Sequence, residues 1–112
     1  GSAGERDVEK RAAMGAVAAE LADVVVLCDE DPRGEDRHAI LREIAAGAGA
    51  ARDLRVVPDR AAAIDEAIGG ARPGDTVLLA GKGHESSLIG PAGAEPWDER
   101  AAAEAALRRH LG

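Results

Sequence analysis

"DVVVLCDEDPRGED", residues 23–36, joins two kinds of chemistry with no spacer between them. Val24 to Cys28 form an apolar, mostly β-branched run without polar alternation, which predicts a strand covered on both faces. Such a strand belongs in a parallel sheet with helices on either side. Directly after it come Asp29, Glu30, Asp31, Glu35 and Asp36, set around Pro32 and Arg33. A run of acids is most often a solvated loop. Where a buried strand surfaces, it also occupies the end of an open α/β sheet at which ligands bind.

The flanks fit that frame. "VEKRAAMGAVAAELA" carries Val8, Met14, Val17, Ala18 and Leu21 at helical spacing, predicting a helix over 8–22 with Asp7 placed to cap it. "EDRHAILREIAAGA" sets Ile40, Leu41 and Ile44 on one face, so a second helix is predicted over 36–46, stopped by Gly47 and Gly49. "LRVV" at 54–57 predicts a short strand, and Pro58-Asp59 opens a third helix lined by Ala63, Ile64, Ala67 and Ile68. "TVLLA" at 76–80 predicts another buried strand, "SSLIG" a short edge strand and "PAGAEP" a loop, with Asp98 capping a last helix to about residue 111. The alternation predicts a single α/β domain over 1–112, a three-layer, Rossmann-like and mostly parallel sheet with helices on both faces.

Composition narrows the partners. With 21 acids against 14 bases the formal charge is −7, and the single aromatic residue is Trp97, so nucleic acid is not an expected partner. No apolar stretch reaches the roughly 20 residues of a membrane span, and the N-terminus lacks a signal-peptide layout; a soluble, cytoplasmic domain is expected. Cys28 is the one cysteine, which excludes an internal disulfide and leaves a small apolar filler as its expected role.

Two motifs carry chemistry, "DEDPR" at 29–33 and "GKGHE" at 81–85. The second is not a Walker loop, because Thr76 stands where the first glycine is needed and Gly83 follows Lys82. Its glycines predict either a plain turn or a backbone bending closely past something. His38, His84 and His110 share no ligand spacing with Cys28 or each other, so no metal is expected, and His84 reads as a polar loop residue. Arg33 can grip a carboxylate with two parallel hydrogen bonds, stiffened by Pro32, while Glu30, Asp31 and Glu85 can meet an ammonium. Together they describe a pocket for a zwitterion. The alternative is a surface ion pair of Arg33 with Glu35 or Asp36, contributing little.

"GERD" and "KR" within 4–11, "DEDPRGED" at 29–36, "DR" at 59–60, "GDTVLLAGKGHE" at 74–85 and "WDER" at 97–100 together resemble the C-terminal domain of the Mur ligases, nearest to the MurE type. The resemblance implies an ATP-dependent, three-domain ligase of peptidoglycan synthesis that adds the third amino acid of the stem peptide to UDP-MurNAc-L-Ala-D-Glu. ATP and Mg2+ would be held mainly by a middle domain, with no cofactor expected in these 112 residues and no ligase turnover expected of them alone. By position, Arg6 and Arg33 would hold carboxylates of meso-diaminopimelate, while Gly81 through backbone and Glu85 through charge would receive its far amino-acid end. Glu30, Asp31 and Pro32 would line the same pocket, and Asp7, Lys10 and Arg11 would face the nucleotide.

Two departures from the family pattern carry weight. Asp31 stands where the diaminopimelate motif Asp-Asn-Pro-Arg has an amide, which would oppose a second substrate carboxylate and leaves L-lysine or L-ornithine open. Gly1 stands where an apolar strand of the family would have ended, so a gap or unpaired sheet edges, and association through them, are expected. A stand-alone amino-acid-binding regulatory module is the alternative to a ligase part, and half of a dinucleotide-binding dehydrogenase ranks last for want of G-x-G-x-x-G.

Overall fold

The computed structural model describes residues 1–5 and 8–111. A 3-10 turn, Val8–Lys10, leads into α1 (Arg11–Leu21), followed by β1 (Val24–Leu27), α2 (Arg37–Gly47), β2 (Asp53–Val56), α3 (Arg60–Gly70), β3 (Ser87–Gly90), β4 (Gly93–Pro96) and α4 (Glu99–Leu111). Three helices start on an aspartate whose side chain accepts from the first turn: Asp36 from His38 N, Asp59 from Ala62 N and Asp98 from Ala101 N. Asp7, expected to cap the first helix, lies outside the described residues.

β1 and β2 pair in parallel from Val24 opposite Asp53 to Leu27 opposite Val56, with α2 as the crossover. Val25, Leu27, Ile40, Leu41 and Ile44 form the core between this sheet and α2, with Ala18, Ala45, Ala51 and Leu54 packed around them. α1 lies against α2 at glycines: a Cβ at Gly15 would stand 2.0 Å from the carbonyl oxygen of Ile44, and one at Gly47 would stand 1.8 Å from that of Ala12. Backbone on backbone is the contact that sets this helix pair.

That contact corrects the stripe expected on α1. Arg11 and Gly15 face inward, while Val8, Met14, Val17 and Leu21 are exposed, Leu21 at 79%. Helical spacing was right, but the small residues, which approach most closely, chose the buried face.

Two further expectations are corrected. Residues 76–80 are not a strand, since strand needs a hydrogen-bonded neighbour and β1, among the described residues, has only β2. Leu78 is accordingly 84% exposed and Val24, at the start of β1, 47% exposed. "PAGAEP" is not all loop: Gly93–Pro96 is β4, which pairs antiparallel with β3 through the turn Gly90–Gly93, so "SSLIG" belongs to a separate hairpin.

Among the described residues, β1 and β2 pair only with each other, and apolar side chains including Val17 and Leu78 are exposed. The 112-residue polypeptide is expected to sediment above monomer mass at high concentration, and the pair Leu78→Lys and Val17→Lys to return it toward monomer. Analytical ultracentrifugation decides; a monomer without the substitutions would show that these surfaces do not associate.

Candidate functional site

Arg60, at the start of α3, is buried and pins the ligand end of the domain. Its Nε and Nη2 donate to Glu99 Oε1 and Oε2 at 2.8 and 2.6 Å, a fork-to-carboxylate pair with α4. Nη1 also donates to the carbonyl of Asp29 (2.9 Å) and Nη2 to that of Ala80 (3.0 Å). Trp97 Nε1 donates to Glu99 Oε1 at 3.0 Å. One guanidinium thus ties the end of β1, the end of the 76–80 segment and the start of α4.

The two charged motifs meet at Lys82, which is 1% exposed. Its Nζ donates to Asp31 Oδ1 at 2.9 Å and to Glu85 Oε2 at 2.6 Å. Asp31 Oδ1 also accepts from Ile89 N (2.9 Å), and the Asp31 carbonyl from Gly4 N (2.6 Å). Burial would raise the pKa of Asp31, but Lys82 and the Ile89 N–H outweigh it and hold the carboxyl below its ordinary value. Burial would likewise lower Lys82, yet its two carboxylate partners win and raise it. Glu30, close to Gly81, is pushed up by burial. Gly81 has φ +119°, a region closed to side-chain-bearing residues, so the backbone can turn there beside Glu30 and Arg60.

Arg33 follows in the same loop in a strained conformation, φ +56°, with its N–H donating to Ile89 O at 2.8 Å. The surface pair with Glu35 or Asp36 does not form. Both oxygens of Glu35 are taken by Arg11, and Asp36 caps α2. Among the described residues the Arg33 side chain makes no ion pair, and its Nε is buried without a partner. A buried, unsatisfied guanidinium nitrogen in a strained loop is a candidate for contact with a ligand.

The first loop is clasped onto this one. Arg11 is buried and donates to Glu35, to Glu43 and to Ala3 O, while Glu5 N donates to Glu35 Oε1 and Gly34 N to Glu5 Oε1. Gly4 touches the backbone of Pro32 so closely that a Cβ would stand 1.8 Å from its carbonyl oxygen.

The structure thus brings Glu30, Asp31, Pro32, Arg33, Gly81 and Glu85 to one end of the domain. Arg6 and Asp7 lie outside the described residues. Of the other two residues expected to face a nucleotide, Lys10 is on the surface and Arg11 is turned inward, its donors spent on the clasp. Glu85 also borders an open groove of about 410 Å³ lined by His84, Trp97 and Arg100. Sequence reasoning missed Lys82 as a buried cation and the Arg60–Glu99 pair. The signal for Lys82 was its two flanking glycines, which let the side chain turn back into the protein.

Residues 1–83 match the model of the Mur ligase family described as "Mur ligase, glutamate ligase domain". The chain belongs to the Mur ligase family. Relatives named UDP-N-acetylmuramyl-tripeptide synthetase are 54% identical in Roseiflexus sp. (strain RS-1), over 96% of this chain, and 50% identical in Treponema pallidum (strain Nichols), over 99%. A relative in Synechococcus elongatus, named UDP-N-acetylmuramoyl-L-alanyl-D-glutamate--2,6-diaminopimelate ligase, is 50% identical over 96% of the chain. These matches span 22%, 21% and 22% of the relatives' own lengths, so the chain corresponds to about a fifth of each. A solved structure of a ligase with that same name superposes with TM-score 0.91 at 30% identity, over all of this chain and 23% of the other. This Mur ligase domain therefore has the mixed α/β fold of that neighbour, parallel sheet and flanking helices included. No helix among its described residues is long and apolar enough to cross a membrane.

The clasp has a pH signature. Arg11, with help from Glu5 N–H, holds Glu35 down to about 2 from an ordinary 4.5. A depressed carboxylate contributes stability above its unfolded pKa, and that contribution is lost as pH falls from about 4.5 toward 2. Amide NMR of Glu5 and Gly34 is expected to report the clasp opening over that interval, and Glu35→Gln to shift both signals already at neutral pH. Glu99→Ala, which strands the buried Arg60 charge, is expected to cost about 3–5 kcal/mol in urea unfolding; a loss below about 1 kcal/mol would mean that Arg60 finds other partners.

Proposed function

We propose that this domain binds and positions the amino acid that a MurE-type ligase adds, with consumption of ATP, as the third residue of the stem peptide on UDP-MurNAc-L-Ala-D-Glu. Meso-diaminopimelate is the acceptor we infer. The observation that carries the reading is the Arg33 guanidinium, without an ion-pair partner among the described residues, in a strained loop that Asp31 and Lys82 tie to Glu85, whose side chain is half exposed. One end of a diaminopimelate needs a cation for its carboxylate and an anion for its ammonium, and Arg33 with Glu85 and Glu30 offers both. The name of the Synechococcus elongatus relative supports the same acceptor. Pro32 and Gly81 shape the wall through backbone, and Arg6 is proposed as a second carboxylate contact.

The contribution to the reaction is positional. An amine held in line with an activated carboxyl gains effective molarity, and Arg33 and Glu85 fix that amine's other end. ATP and Mg2+ are proposed to be held by the remainder of the ligase. Lys82, the lysine of "GKGHE", points inward to carboxylates.

The test uses the ligase that carries this domain, with UDP-MurNAc-L-Ala-D-Glu, ATP and, in turn, meso-diaminopimelate, L-lysine and L-ornithine. Diaminopimelate is expected to be preferred, and Arg33→Ala to raise its KM roughly 10- to 100-fold, the range of one charged hydrogen-bonded contact. Equal use of lysine by both forms would remove diaminopimelate as the acceptor. Absence of amino-acid-dependent ATP turnover with all three would remove the ligase reading.

A further inference from the structure

Asp31 poses the sharpest question in the site, since a carboxylate beside Arg33 competes with any carboxylate the acceptor brings. Its side chain is directed elsewhere. Oδ1 takes both the Lys82 ammonium and the Ile89 N–H, and the residue is buried. Lys82 spends a second donor on Glu85 Oε2, which leaves Oε1 of that half-exposed carboxylate without a partner among the described residues. The backbone is built for this arrangement. Gly81 and Gly83 both have positive φ, turning the lysine inward, and Glu85 N donates to Lys82 O at 2.8 Å, which brings Glu85 back over the ammonium.

Resting on the ligase reading above, we propose that Lys82 is a positioning and specificity-determining residue: it cancels the charge of Asp31 inside the protein and holds Glu85 with one oxygen open. The acceptor then meets Arg33 and Glu85 without the repulsion that Asp31 would exert on a second carboxylate. Asp31 acts through Lys82 and is not itself a contact for the acceptor. Acidic and simple diamino acceptors differ by that second carboxylate, so Lys82 sets the choice between them.

The experiment compares the ligase carrying this domain with its Lys82→Met, Asp31→Asn and Lys82→Met/Asp31→Asn variants. The readout is the ratio of kcat/KM for meso-diaminopimelate to that for L-lysine, with the KM for ATP measured alongside. Any loss from a misplaced Glu85 falls on both amino acids and leaves the ratio alone. Lys82→Met is expected to lower the ratio at least about tenfold at unchanged KM for ATP, and the double variant to restore it to within about threefold. A double variant as poor as the single one would make Lys82 a direct contact and overturn the inference, as would an unchanged ratio in Lys82→Met. Should Lys82→Met fail to fold, the double variant decides, because a buried pair exchanged for neutral residues of similar size is tolerated: a retained ratio supports the inference, and a switch to lysine overturns it.

Failure of the ligase reading is separable. If the unaltered ligase joins neither amino acid, carboxyl NMR titration of the 112-residue chain still tests the pair among its neighbours Glu30, Arg33 and Glu85. Asp31 titrating low, and rising in Lys82→Met, supports the device; Asp31 titrating in the ordinary range overturns it.

Discussion

The buried guanidinium of Arg60 is the constraint on which the ligand end depends. Main-chain carbonyls at the ends of neighbouring extended segments point the same way and cannot complete a ladder there. Arg60 satisfies two of them, Asp29 O and Ala80 O, and its charge is returned by both oxygens of Glu99. A buried pair of this kind adds little net stability against an apolar substitute, but its hydrogen bonds are directional. What it fixes is the separation of "DEDPR" from "GKGHE". Residues 76–80 have no strand partner among the described residues, and still Ala80 is anchored, so Gly81 and Lys82 start from a fixed point.

Local pattern and long-range pairing divide what could be read in the sequence from what could not. The unbroken apolar run at 24–28 announced β1, and Asp59 and Asp98 announced helix starts, because strand burial and capping are decided within a few residues. "TVLLA" had the pattern of a strand, but a strand is a relation between two segments, and residues 76–80 have no such neighbour among the described residues. α1 had a helical stripe, but the closeness permitted by Gly15 and Gly47 turned a different face inward. The hairpin in "PAGAEP" was hidden because its residues are poor strand formers and its pairing lies across a turn.

The site divides the same way. Residue type alone left Arg33 even between a carboxylate clamp and a surface ion pair, and the structure removes the second, because its two local partners are occupied. Lys82 and Asp31 stand 51 residues apart and Arg60 and Glu99 stand 39 apart. Nothing in the spacing of either pair foretells contact, because the fold and not the chain brings them together.

These pairings also bear on how a domain of net charge −7 could accommodate the acidic acceptor proposed for it. Counting formal charge along "DEDPR" gives three carboxylates against one guanidinium, a loop that repels anions. Counting it in space gives another result. Asp29 is paired with Arg37, and Asp31 shares Lys82 with Glu85. Burial pushes the Glu30 carboxyl up, and the Arg33 side chain has no ion-pair partner among the described residues. At the range of a hydrogen bond these nearest charges dominate, since the more distant ones are screened within roughly 10 Å at ordinary salt. An acidic sequence is thereby folded into a locally near-balanced surface with one exposed carboxylate and one unpaired guanidinium, the charge pattern of one zwitterionic end of an amino acid in reverse.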